Sequence, residues 1–318
     1  MLAAGLAVFA LAASWIGTGR VLAWLDRRRI VDVPNHRSSH ERPTPRGGGI
    51  GLLLGALPAV GVFALVTSRP LPWLALVAGA TLLAAVSWRD DLGHVAARWR
   101  LLAQAVAVGL GLAVLEGGPV FQGLIPAWLD PIAAGLAWIW FVNLTNFMDG
   151  IDGITGIEAV SVGLGLVLLD STALPAAFLA AAALGFLRWN WHPASLFMGD
   201  VGSVPLGYLL GGLLLMLAKD GLWAPALILP GYYLADATWT LGRRLLDGRR
   251  VWEAHREHFY QRAVQRGWSH ARVSLAVGAV NVGLIFLALA AVERPWPALG
   301  GAAVLVGGAL LCFARVRP

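Results

Sequence analysis

The chain has 318 residues, of which 58% are apolar and 13% charged, with a mean hydropathy of +0.70. Soluble domains run at roughly 45–50% apolar and about 25% charged, so an ordinary aqueous globule is excluded. A disordered or disulfide-built chain is excluded too, because charge is scarce and Cys312 has no second cysteine to pair with. An integral membrane protein remains, and its net charge of +6, carried by arginines and the single Lys219, reports first on orientation.

Apolar runs bounded by charges and by Pro/Gly breaks predict an all-α protein of eleven transmembrane helices. They lie at roughly 2–24, 48–67, 71–88, 101–115, 131–146, 154–170, 172–189, 203–218, 222–241, 272–292 and 297–314, each near the ~20 residues a crossing needs. The first run lacks a charged start and an A-x-A cleavage pattern, so it is read as a span and not as a signal peptide. Placing Arg315 and Arg317 inside puts all but Arg69, Lys219 and Arg294 of the 24 basic residues on the inner face, with Arg20 at its edge. That bias predicts an outer N-terminus and a cytoplasmic C-terminus. Tryptophans at both ends of the spans read as interfacial anchors. The long polar segments, 25–47, 88–100, 188–202, 242–271 and the compact 147–153, all fall inside. The whole chain, 1–318, is read as one polytopic domain working on that face.

Polar residues gather there in five places. The loop VDVPNHRSSHERPTPRGGGI, residues 31–50, joins Arg37, Arg42, Arg46, His36 and His40 to a triple glycine entering a span. Guanidiniums beside free backbone N–H groups at a helix start make an anion site; contact with anionic lipid is the competing reading. Asp90 and Asp91 follow the third span. Adjacent carboxylates repel unless a cation or donor stands between them, and a solvated turn is the plainer reading of a bare pair. NLTNFMDGIDGITG repeats a polar residue every third position, at Asn143, Asn146, Asp149 and Asp152. A step of three drifts about 60° per repeat on an α-helix, so Gly150 and Gly153 are read as ending it near Phe147 in a tight turn. The four side chains then converge on one polar ligand, the alternative being a helix cap with a hydrophilic loop. In LFMGDVGSVPLG, Asp200 stands between Gly199 and Gly202, suited to Mg²⁺ approached by a phosphate or to capping the next helix. Residues 252–268 read as an amphipathic interfacial helix through Trp252, Phe259, Ala263, Arg256, Arg262 and Arg266. His255 and His258 lack the frame of a zinc site.

Taken together, the pair at 90–91, N-x-x-N-x-x-D-G-x-D-G at 143–153, F-M-G-D-x-G-S at 197–203 and H-x-x-H-F-Y-Q-R at 255–262 resemble the bacterial polyprenyl-phosphate N-acetylhexosamine-1-phosphate transferases. The resemblance runs from about Asp32 to Trp268, and the PNHRSSHxxPTPRGGG loop and HFYQR ending look most like members initiating O-antigen or similar surface polysaccharides. It implies transfer from a UDP-N-acetylsugar to undecaprenyl phosphate with release of UMP, using Mg²⁺ or Mn²⁺, at the cytoplasmic face of the bacterial inner membrane. On the same basis Asp200 and Asp149 are expected to hold the metal, and Asp90 and Asp91 to face the lipid phosphate. Arg46, Asn143, Asn146, Asp149, Asp152 and Asn190 are expected to bind substrate, and Phe197 to stack on uracil.

The spacing of His258 and Arg262, about 40° apart on a helix, adds the expectation of a diphosphate clamp opposite Asp200. His258 is accordingly counted with Asp90, Asp91 and Asp200 as catalytic. Peptidoglycan-precursor relatives carry a lysine where this chain has His94 and three histidines where it has Tyr260, Gln261 and Arg262, which places their reaction second. A transporter or flippase would put charges at the midplane and show repeated halves; a scaffold would not need these motifs. Membrane lipids are expected partners and nucleic acid is not. The identity of the sugar and the oligomeric state, a homodimer included, stay open.

Overall fold

A computed structural model describes residues 1–34, 42–250 and 255–316. His36, Arg37, His40 and Trp252 lie outside the described residues. In chain order the elements are α1 (Leu2–Arg28), β1 (Val31–Asp32), β2 (Thr44–Pro45), α2 (Gly49–Val66), α3 (Pro70–Leu92), α4 (Ala97–Val114) and α5 (Asp130–Met148). They continue with α6 (Ile154–Leu169), α7 (Leu174–Asn190), α8 (Asp200–Lys219), α9 (Trp223–Ile228), α10 (Gly231–Leu246), α11 (Phe259–Gln265), α12 (His270–Ala291) and α13 (Pro295–Arg315). The two strands form an antiparallel hairpin with Val31 opposite Pro45 and Asp32 opposite Thr44.

Proline in the first turn starts α3, α5, α7 and α13, where its missing N–H leaves no helical bond unmade. Ten predicted spans are single helices. The ninth, at 222–241, is broken into α9 and α10 around Pro230, and this corrects the expectation of one continuous crossing. Among the described residues eight helices are long and apolar enough to cross a membrane; α6 and α7 have 16 and 17 residues. Of the interfacial helix expected over 252–268, the described residues 255–268 are helical only in the seven of α11.

The centre of the molecule is α8, buried along almost its whole length. A helix apolar all round needs neighbours on every side, and small residues let them approach. Gly207 lies against Thr145 and Val142 of α5, and Gly211 and Gly212 lie against the Trp138 ring. Trp138 stacks on Tyr208 with centroids 4.8 Å apart and donates its indole N–H to the Tyr208 carbonyl at 2.8 Å. Around this axis α3 and α5 flank α8, α1 packs with α2 and α7, and α6 joins α7 to α12. The result fixes one end of α8 among the polar motifs of the 90–91, 143–153 and 197–203 segments.

Candidate active site

Asp200 is the first residue of α8, and three distant segments meet there. Gly199 before it adopts φ 74° and ψ 168°, and a Cβ on it would come within 2.8 Å of the Asp91 carboxylate. Only glycine satisfies both conditions. Asp91 reaches over from α3 and accepts the Asp200 N–H at 3.2 Å and the Val201 N–H at 2.9 Å, capping a helix that has no cap of its own. The 197–199 segment is strapped to residues 45–49: Phe197 N–H donates to the Pro45 carbonyl at 2.8 Å, and Gly48 and Gly49 donate to Phe197 and Met198 at 2.9 Å each. That strap aims Arg46. Its Nε lies 3.0 Å from Asp91 and a terminal nitrogen 2.6 Å from Asp200. Burial opposes its charge, yet Asp200, Asp91 and Asp32 hold the guanidinium above its ordinary value.

The two adjacent aspartates therefore part company. Asp91 faces α8 with its side chain 1% exposed, while Asp90 accepts from Val95 N–H at 2.8 Å and pairs with Arg100 at 2.6 Å. The same Arg100 nitrogen is 3.7 Å from Asp200. Asn146, on the last turn of α5, donates to Asp200 at 3.4 Å and accepts from the Ser203 hydroxyl at 2.6 Å. Asn143 pairs with Gln104 through both amide groups, at 2.7 and 3.3 Å. Asp200, Arg100, Asn143 and Asn146 line a groove of about 580 Å³ whose remaining wall is mostly apolar, including Leu83, Leu101, Ile139 and Leu241.

The 149–153 turn ends α5 as the glycines predict, with Gly153 at φ 77°. Asp149 is turned to the Thr155 hydroxyl; burial pushes its carboxyl up to about 7, and Asp200 and Asp91 add to the rise. Asp152 points elsewhere. It meets His192 Nδ1 at 2.6 Å, His270 Nδ1 at 3.2 Å and the Ala194 N–H at 3.2 Å. Burial alone would raise this carboxyl, but the histidine hydrogen bonds hold it below the usual carboxylate range. Asn190 is buried and gives both amide atoms to backbone: it accepts from Gly153 N–H and donates to the Leu196 carbonyl, each at 3.0 Å. It clips the turn to the loop that carries the half-buried Phe197.

His258 and Arg262, expected to clamp the diphosphate, are each held by neighbours in the structure. His258 is 2% exposed, stands at the N-cap of α11 and places Nδ1 3.2 Å from Asp236 of α10. Asp236 also accepts the Phe259 and Tyr260 N–H groups at 3.0 and 3.2 Å, so it and His258 bind α11 to α10. Arg262 lies over the Phe259 ring, 5.5 Å from its centroid. The α11 segment still abuts the site, because the Tyr260 hydroxyl donates to the Phe147 carbonyl at 3.0 Å. The helical angle between His258 and Arg262 gave no sign of what already held the imidazole. Asp236 itself and Arg100 were also missed; a lone carboxylate within an apolar run was the available signal for the first, and a basic residue ten positions from Asp90 is no signal for the second.

The family profile described as glycosyl transferase family 4 matches residues 73–218, which hold the Asp90 pair, the 143–153 motif and Asp200. The chain is 30% identical to the decaprenyl-phosphate N-acetylglucosaminephosphotransferase of Mycolicibacterium smegmatis over 83% of this chain and 76% of that protein. It is 32% identical to the phospho-N-acetylmuramoyl-pentapeptide-transferase of Synechococcus sp., over 86% and 84% respectively. A Bacillus subtilis protein named "Probable undecaprenyl-phosphate N-acetylglucosaminyl 1-phosphate transferase" is 28% identical over 80% of this chain and 75% of its own length.

Proposed function

Since the chain belongs to the polyprenyl-phosphate N-acetylhexosamine-1-phosphate transferases of glycosyl transferase family 4, we propose that it moves an N-acetylhexosamine-1-phosphate from a UDP-sugar to undecaprenyl phosphate, releasing UMP. The observation that carries this reading is the groove: an apolar channel suited to a polyprenyl tail is also lined by Arg100, Asp200 and Asn146, where a phosphate is wanted. An acceptor phosphate oxygen attacks the β-phosphorus of the UDP-sugar, a new P–O bond forms, and the bond to the UMP phosphate breaks. The nucleophile is already ionised at neutral pH, so orientation and charge stabilisation supply the rate, and no base is required.

Arg100 orients the acceptor phosphate from the groove side, with Asp90 holding its guanidinium. Arg46 faces the diphosphate, its fork fixed by Asp91 and Asp200. The donor nucleotide is assigned to the side lined by Asp149 and Phe197, with the Phe197 ring for uracil. Asn190, Asp152, Asp236 and His258 act on that pocket by positioning its walls. Asp90, Asp91, Asp149 and Asp200 set four carboxyl groups against the two guanidiniums of Arg46 and Arg100. Oxygen donors with that excess of negative charge fit Mg²⁺ or Mn²⁺, which Asp200 and Asp149 would hold. When bound, the ion neutralises charge developing on the transferred phosphoryl group.

The finer reading is initiation of an O-antigen-type surface polysaccharide at the cytoplasmic face of the inner membrane, with eleven crossings and the N-terminus outside. It is supported by the 31–50 and HFYQR motifs and by the bias of basic residues to one face. Purified protein with undecaprenyl phosphate, Mg²⁺ and a panel of UDP-N-acetylsugars, UDP-MurNAc-pentapeptide included, tests it through UMP release. Release with an N-acetylhexosamine donor, dependent on both acceptor and cation, is expected. Release only with the pentapeptide donor would establish the peptidoglycan reaction, and no release with any donor would refute the transferase.

A further inference from the structure

Glu158 of α6 and Asn281 of α12 are buried, 2% and 1% exposed, and neither takes part in the candidate site. The Asn281 amide donates to Glu158 Oε2 at 2.7 Å. The other oxygen of each side chain, Glu158 Oε1 and Asn281 Oδ1, is buried with no hydrogen-bond partner among the described residues. We propose that Glu158 is a proton-binding site: one resident proton on Oε1 makes it a neutral acid that donates to Asn281 Oδ1, and the resulting two-point acid–amide ring latches α6 to α12.

Hydrogen-bond accounting carries the argument. A carboxylate only accepts and so does an amide oxygen, so an ionised Glu158 leaves two buried acceptors unmade, which is costly. A carboxylic acid offers one donor and one acceptor, the complement of an amide. Charge points the same way. Among the described residues no arginine, lysine or histidine acts on Glu158, and Asn281 is the one side chain that bonds it. The titratable group facing it from α10 is Tyr233, buried with its hydroxyl 3.1 Å from Thr155 Oγ1, and it brings no positive charge. A carboxylate buried in a membrane protein without a cation is expensive. A bridging water would donate to both oxygens yet leave that charge in place; a proton settles both at once.

Packing holds the pair in apolar surroundings. Ala159 and Val162 near Glu158, and Val277 and Leu284 a turn to either side of Asn281, are fully buried. Gly278, three residues before Asn281, lets Ile157 approach: a Cβ there would stand 3.2 Å from the Ile157 side chain. The same faces of both helices reach the 149–153 turn. Thr155, three residues before Glu158, turns its hydroxyl to Asp149, and Ser274, seven before Asn281, donates to the Asp152 carbonyl at 2.8 Å. Steps of three and seven keep residues on one side of a helix. The latch therefore keeps in register the two helices that steady that turn.

The test reads infrared spectra and melting temperature, not transfer, so its failure is separate from any failure of the proposed reaction. Detergent-purified protein and its Glu158→Gln variant are compared at neutral pH, both carrying Asp149→Asn so that this second buried carboxyl does not contribute. Expected is the carbonyl band of a hydrogen-bonded carboxylic acid, shifted in D₂O and missing from Glu158→Gln. Glutamine donates an N–H where the acid donated its O–H, so Glu158→Gln should melt within about 2 °C of its parent. Glu158→Leu strands the Asn281 amide and should melt roughly 4 °C lower or more. Replacing Na⁺ by choline should shift neither. A parent spectrum without the acid band, Glu158→Gln as unstable as Glu158→Leu, or a melting temperature that falls when Na⁺ is withdrawn (a metal cation in place of the proton) would each overturn the proposal.

Discussion

Replacing Arg46 by lysine keeps a positive charge and removes a fork, and two distances set the consequence. The guanidinium bonds Asp91 at 3.0 Å and Asp200 at 2.6 Å at once, whereas an ammonium is a single point donor and can serve only one of them well. A hydrogen bond to a charged group contributes about 1.5–3 kcal/mol. The Arg46 side chain is 37% exposed, so water recovers part of the loss and the lower figure, about 1.5 kcal/mol, applies. At about 1.4 kcal/mol per decade, kcat/KM should fall roughly tenfold. Arg46→Met removes the charge as well. Arg46 holds the Asp149 carboxyl down, so its loss lifts that group beyond about 7. Asp149 must be ionised to hold a cation; activity therefore drops as pH falls through its pKa, and in Arg46→Met this acid limb moves to higher pH. In Arg46→Lys it stays where it was. UMP release followed across roughly pH 6 to 9, a range that spans the Asp149 titration, reads both effects. Wild-type kcat/KM in the lysine variant, or an unmoved acid limb in the methionine variant, would refute the bridging role.

Asp200→Asn should abolish UMP release while gel filtration and melting temperature stay normal, since it removes an anionic oxygen at constant volume; turnover at saturating Mg²⁺ would exclude it as a ligand. Gly199→Ala should lower stability by about 1–3 kcal/mol, from a backbone conformation only glycine holds and a contact with Asp91, measurable as a fall in melting temperature. His258→Ala should act first on stability, by about 1–3 kcal/mol for the lost contact with the buried Asp236, with Arg266→Ala as the silent control. Unchanged melting with a ~10²-fold loss of turnover would restore the diphosphate clamp. A cysteine at Ser38 should be labelled only after the inner face is opened and one at Gly118 from outside; the reverse pattern would invert the topology.

Helices were legible because hydrocarbon leaves the sequence few choices: apolar runs end at charges, and ten of them are single helices, eight long and apolar enough to cross a membrane among the described residues. Pro230 was visible but its effect was not, since neighbours decide whether a proline kinks a membrane helix or parts it. The turn at 149–153 followed from its glycines, yet the divergence of Asp149 from Asp152 did not. Which way each carboxylate faces depends on Thr155 in one case and on His192 and His270 in the other, and His270 lies 118 positions away. Asp90 and Asp91 show the same limit. Adjacent in sequence, they are separated by what lies beyond them, a helix end for one and Arg100 for the other. Long-range pairing of polar groups leaves no period in the sequence, and that is where reading by spacing failed.

The two walls of the groove differ in how firmly they are mounted. Asp200 begins α8, which glycines and the Trp138–Tyr208 stack wedge against α5 on one side while Gly202 touches Gly49 on the other, so that wall has no play. Opposite it stands α10, severed from α9 at Pro230 and showing Trp239, Leu245 and Leu246 outward at 65%, 67% and 89% exposure. The arrangement is a vice with one fixed jaw. Adjustment to tails of different length or saturation falls to α10, and the lipid composition around that helix should change which acceptors are used while leaving the choice of nucleotide sugar untouched.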